Sequence, residues 1–149
     1  MCVNGETFSA QPGSYCDLER IWKEGDTIAL RFDMSLRLWV GEAECAGKVS
    51  LYHGPLLLAY DPRFDAYSVD DIPEIDLSLP IKRVTYTGAE PSPMLLLSFA
   101  TKTGGRIVLC DFASAGVCGT RYRSWLSCGE FTPNPFQRDN PLRCTYLTY

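Results

Sequence analysis

The residues best suited by type to do chemistry are three carboxylates, one histidine, a serine, a cysteine and a set of aromatic rings. Asp17 and Glu19 alternate along "YCDLERIW", and Asp26 follows the Gly25 turn just beyond them. Paired carboxylates can carry general acid/base chemistry on a sugar. Arg20 and Lys23 flank these three, which fits an exposed polar face better than an acid/base pair. His53 is the single histidine and could act as a base or a ligand. No serine or cysteine accompanies it in a motif, so a structural or edge histidine is the simpler expectation. Ser114 in "FASAG" lacks the Gly-x-Ser-x-Gly of a nucleophile elbow. Cys118 in "GVCGTR" would need a neighbouring base, and His53 is the only candidate. "KTGGR" is too short for a phosphate-cradling loop and reads as a hairpin turn.

The aromatic residues are the better material for binding. Trp22, Trp39 and Trp125, with eight tyrosines, could stack on the apolar face of a pyranose. In "SLRLWV", Arg37 and Trp39 share one strand face and Leu36 and Leu38 the other, so Trp39 is expected to be exposed. Arg37, Trp39, Tyr122 and Trp125 are therefore the candidate carbohydrate contacts. The competing reading places these rings in a sandwich core or an interdomain seam. The run Arg121, Tyr122, Arg123 and Trp125 also fits a docking edge for a partner domain.

Seven cysteines fall at positions 2, 16, 45, 110, 118, 128 and 144. The count is odd, the spacings are irregular and there is no Cys-x-x-Cys. That argues against zinc, and one histidine cannot complete a Cys/His set. Reduced, mostly buried thiols are the expectation, with one or two disulfides as the alternative. No metal and no cofactor are implied. The net charge of −4 argues against nucleic acid, which needs a dense basic face. No apolar run nears the ~20 residues of a membrane helix. "MCVNGETFSA" has no basic stretch leading into an apolar one, so no secretory signal is expected there. A cytoplasmic protein, or a piece of a longer chain with its leader elsewhere, follows as an expectation.

The elements that must position these residues read as strands. "VNGE" carries Asn4-Gly5, a strong two-residue hairpin signal. "QPGS" and "KEGD" are further turns. "YCDLERIW" alternates, and "TIALRF" places Ile28, Leu30 and Phe32 on one face of a half-buried strand. "SLRLWV", "KVSLYHG" and "PLLLAYD" follow, the last two joined at Gly54-Pro55. The stretch from 61 to 76 is acidic and turn-rich, a linker or a long loop. "IKRVTYTG", "MLLLSFA", "RIVLCDFA" and "TRYRSWL" resume the strand pattern, with Val84 and Tyr86 opposed to Arg83 and Thr85. An irregular tail from Ser127 with a last strand at "CTYLTY" completes the reading. No helical period survives over ten residues. About nine short strands imply an all-β, antiparallel β-sandwich, jelly-roll-like. It would be a single domain over 1–149, or two small units over 1–62 and 76–149 joined by the acidic stretch.

Several phrases in order resemble one family. "VNGETFSAQPGSYCDLERIWKEGDTIALRFDMSLRL", then "VSLYHGPLLLAYD", then "LCDFASAGVCGTRYRSWL" are similar to the C-terminal β-sandwich region of bacterial glycoside hydrolase family 127, the β-L-arabinofuranosidase-like enzymes. The resemblance runs roughly from Val3 to Leu126. It implies a non-catalytic sandwich that accompanies an (α/α)6 barrel, where the cysteine nucleophile, the glutamate acid/base and the zinc site reside. No catalytic residue of that family carries over to a position here. The expectation is therefore not an enzyme but an accessory domain that packs against or stabilises a catalytic barrel, or self-associates. The alternatives are a free-standing carbohydrate-binding module and a small sandwich hydrolase.

Overall fold

The structure is a computed structural model, and it describes residues 1–11, 13–88 and 91–129. Within them the chain is all-β with no α-helix and holds two antiparallel sheets, of three and seven strands, which places it in the antiparallel β-sandwich-like class. The expected strand at "CTYLTY" and most of the expected tail lie outside the described residues. The chain groups into two compact units, Met1–Asp33 and Met34 onward, and that division does not fall at the acidic stretch.

In the first unit, β1 (Cys2–Val3), β2 (Glu6–Thr7) and β3 (Ile28–Ala29) form a sheet in the order β2-β1-β3. Asn4 and Gly5 have φ of 49° and 87°, the doubly left-handed pattern that two-residue hairpins favour. The Asn4 side chain accepts from Thr27 N at 2.8 Å and donates to Asp26 Oδ1 at 2.8 Å. Asp26 also accepts from Lys23 N at 2.9 Å, which closes the Lys23–Asp26 turn. Two segments expected as strands differ in the structure. "YCDLERIW" forms no strand, because the three-stranded sheet offers it no ladder. Only Ile28–Ala29 of "TIALRF" pairs, since β1 is two residues long. The apolar row of that segment is consequently exposed rather than half-buried.

The second unit holds β4 (Leu36–Val40), β5 (Val49–His53), β6 (Leu56–Tyr60), β7 (Ile75–Asp76), β8 (Lys82–Arg83), β9 (Leu96–Thr101) and β10 (Arg106–Asp111). The strand order is β4-β5-β6-β10-β9-β7, with β8 also on the outer edge of β9. β5 and β6 pair only beside their turn, at Tyr52↔Leu57 and His53↔Leu56, and then diverge. Residues 123–126 fill the widening gap. Arg123 exchanges backbone hydrogen bonds with Tyr60 at 2.7 and 3.0 Å, and Leu126 does so with Val49 at 2.9 Å each. The next residues cross to β7, where Ser127 O accepts from Ile75 N at 2.9 Å and Gly129 N donates to Ile75 O at 3.1 Å. This segment therefore laces one end of the curled sheet shut, linking β5 and β6 to β7. Among the described residues no hydrogen-bonded strand joins β4 to β8 at the other end.

Leu38, Val49, Leu51, Leu58, Tyr60, Ile75, Leu97, Phe99, Ile107, Leu109 and Leu126 belong to one buried core cluster inside this curl. The acidic stretch from 61 is a loop held against that core: Val69 is buried and Asp61 is fully buried. All six residues of β9 are buried, so both of its faces are covered. The hydroxyl of its Ser98 accepts from Arg106 Nε at 2.8 Å.

Candidate functional site

Asp26 is a turn organiser. The Lys23 N–H and the Asn4 amide hold its carboxyl below the usual carboxylate range, and Arg20 approaches it at 3.5 Å. Asp17 and Glu19 are exposed on the irregular segment before it. Ser114 is likewise committed. Its hydroxyl donates to Asp111, 2.9 Å from either carboxylate oxygen, and its backbone N donates to Oδ1 at 3.0 Å, capping a short 3-10 turn.

Cys118 stands 3.5 Å from an Arg63 guanidinium nitrogen and does not line the cavity that holds His53. Arg63 in turn serves Asp61, whose carboxylate is the junction of the unit's loops. Asp61 accepts from Arg63 N at 2.9 Å, Arg63 Nε at 3.1 Å, Gly116 N at 2.8 Å and Thr120 Oγ1 at 2.9 Å. Burial pushes the Asp61 pKa up, but the hydrogen bonds from Gly116, Arg63 and Thr120 outweigh that and leave it lowered. "GVCGTR" is thus a loop wrapped round a buried carboxylate. Gly116 has φ +72°, and a Cβ there would sit 2.7 Å from the Tyr122 ring.

The four candidate carbohydrate contacts fall into two groups. Arg37 and Trp39 are on β4, opposite Tyr52 and Ser50 of β5, on the face away from buried Leu38. Trp39 is half-buried, not open. Tyr122 and Trp125 are on the lacing segment. Tyr122 is 43% exposed and sits edge-on to Phe112, with ring centroids 5.5 Å apart. Trp125 lines a small polar hollow of about 140 Å3 with Lys48, Asp70 and Arg123. Asp70 clamps this run: Arg121 grips it with two hydrogen bonds of 2.9 Å, and Arg123 adds one of 3.0 Å.

The described cysteines are free. They are not mostly buried, as the sequence reading expected: only Cys110 is buried, while Cys16 and Cys118 are exposed. Short loops and two-residue strands cannot enclose them. Among the described residues no group of three His, Cys, Asp or Glu side chains is placed to hold a metal ion, and no helix is long and apolar enough to cross a membrane.

Two features escaped the sequence reading. The first is the exposed apolar surface of the Met1–Asp33 unit. Tyr15 is 98%, Ile21 85%, Ile28 49%, Leu30 60% and Phe32 62% exposed. Its signal, the alternation of "TIALRF", was visible but pointed to a buried face. The second is a cavity of about 370 Å3 in the second unit, at the unlaced end of the curled sheet. Met34, Leu36 and His53 line it from the β4–β5 side, and Ile81, Arg83, Leu95 and Leu97 from the β8–β9 side. The Nδ1 atom of His53 is buried without a hydrogen-bond partner among the described residues. An orphaned buried polar atom of this kind costs about 1–3 kcal/mol.

No protein-family model, no curated protein and no solved structure matches the chain.

Proposed function

We propose that the chain is a non-catalytic accessory module that docks on a larger partner domain, in keeping with its resemblance to the sandwich region of arabinofuranosidase-like hydrolases. The observation that carries this reading is the exposed row Ile28, Leu30 and Phe32 with Tyr15 and Ile21 in the same unit. Scattered apolar residues are ordinary on a surface, but several large ones in one 33-residue unit fit an interaction surface. The partner chemistry that suits it is an apolar protein face, such as the flank of a catalytic barrel.

A second reading, carbohydrate binding, draws on one observation. Trp125 lines a polar hollow whose Asp70, Lys48 and Arg123 could bond to hydroxyls. A glycan-array screen that includes arabinose-containing glycans separates the two. The docking reading expects no specific binding. Binding that Trp125→Ala abolishes would replace it with the second reading.

A further inference from the structure

We infer that the cavity between the β4–β5 and β8–β9 sides of the second unit is a binding site for a small apolar monocarboxylate, such as a medium-chain fatty acid. The walls supply the apolar part of the match: Met34, Leu36, Ile81, Leu95 and Leu97. Two polar groups supply the rest. Arg83 lines the cavity from β8, paired through its backbone with Leu97 of β9, and its guanidinium has no ion pair or hydrogen bond among the described residues. A guanidinium fork matches a carboxylate with two parallel hydrogen bonds, which an isolated ammonium cannot do. His53 Nδ1 is buried and unpartnered on the opposite wall. In the tautomer that carries its proton there, it donates to an anionic oxygen. A predominantly apolar hollow with a few convergent polar groups is the usual form of a small-molecule site.

Size and charge narrow the ligand. The volume of about 370 Å3 equals about a dozen waters of liquid, room for an eight- to twelve-atom chain on the order of decanoate. One cation and one imidazole nitrogen suit a single negative charge. Among the described residues no acidic side chain lines the cavity to repel a carboxylate. A sugar would leave its hydroxyls facing leucine and isoleucine, so the polar hollow at Trp125 and this cavity differ in chemistry. The opening follows from the topology: residues 123–129 lace the other end of the sheet, and among the described residues no ladder joins β4 to β8 here.

Because the chain has a single histidine, the His53 imidazole resonances report on this site directly. Sodium decanoate is titrated into the full chain and followed by calorimetry and by the His53 proton signals. The expected result is saturable one-to-one binding that shifts those signals. Decanol should bind at least tenfold more weakly, and Arg83→Gln should lower decanoate affinity at least tenfold while keeping the wild-type circular dichroism spectrum. Arg83 is exposed on a two-residue strand, so this change spares the core. Leu36→Trp, which fills the hollow, provides a second block that leaves Arg83 in place. Unmoved His53 signals, equal binding of decanol, or unchanged affinity in the Arg83→Gln variant would each overturn the assignment.

Discussion

Asp61 is the residue on which the second unit's loops depend. Its carboxylate receives hydrogen bonds from residues 2, 55 and 59 positions away. Asp61→Ala would remove the partner of the Arg63 N–H and Nε, the Gly116 N–H and the Thr120 hydroxyl. Breaking one side of such a buried charge pair costs about 3–5 kcal/mol, and urea unfolding of the variant should show a loss of that size. The pH dependence has a definite sign. The folded-state pKa of Asp61 is lowered, so its contribution is fully present above the ordinary carboxylate pKa and is lost as pH falls through the folded value. Asp26, Asp70 and Asp76 are lowered in the same direction. Stability should therefore drop below about pH 4, and less steeply in Asp61→Asn, which carries no such proton linkage.

The thiols divide as sharply. Burial pushes Cys110 and Cys128 up to about 12, whereas Cys16 and Cys118 are exposed. Alkylation of the native protein at pH 8, read by peptide mass, should label Cys16 and Cys118 first and leave Cys110 and Cys128 until unfolding.

At the scale of elements, the turns were the most legible part of the sequence. Asn4-Gly5, Lys23–Asp26 and Gly54-Pro55 all turn where their residue types require it, since each needs a left-handed φ that glycine or asparagine supplies. At Gly5 a Cβ would meet nothing within 4 Å, so Gly5→Ala should cost only the backbone term, about 1–2 kcal/mol. Thermal melts of this variant isolate that term, because packing is unchanged. The long apolar strands β4, β5, β6, β9 and β10 were also legible, since alternation or an unbroken apolar run marks a buried ladder. Their partners were not. β7 lies inside the acidic stretch, where one buried isoleucine at position 75 gives no period to detect. The role of residues 123–126 was hidden because their pairing depends on how far β5 and β6 diverge, a tertiary fact. Leu126 fills that gap at 2% exposure, and Leu126→Ala should cost about 2–5 kcal/mol.

The site residues were less legible than the strands, for a related reason. Arg83 and His53 line one cavity only because the sheet curls its β4–β5 and β8–β9 sides toward each other, and no local pattern encodes that approach. Conversely, the alternation of Ile28, Leu30 and Phe32 signalled a face that must be covered without saying by what. Among the described residues that row is exposed.

For the whole molecule, the proposed docking role makes a quantitative demand of this exposed row. Large apolar side chains left in water bring roughly 25 cal/mol of association free energy for each Å2 they bury, less the cost of ordering and docking. A docking surface of this kind, left uncovered, should associate with a second copy of the chain. The most direct measurement is the solution mass by light scattering over a wide concentration range, for the wild type and for the double variant Leu30→Glu, Phe32→Glu. The expected result is a wild-type mass that climbs from monomer toward dimer and a variant that remains monomeric. A wild type that stays monomeric throughout, or a variant that associates as the wild type does, would contradict the docking role of this surface.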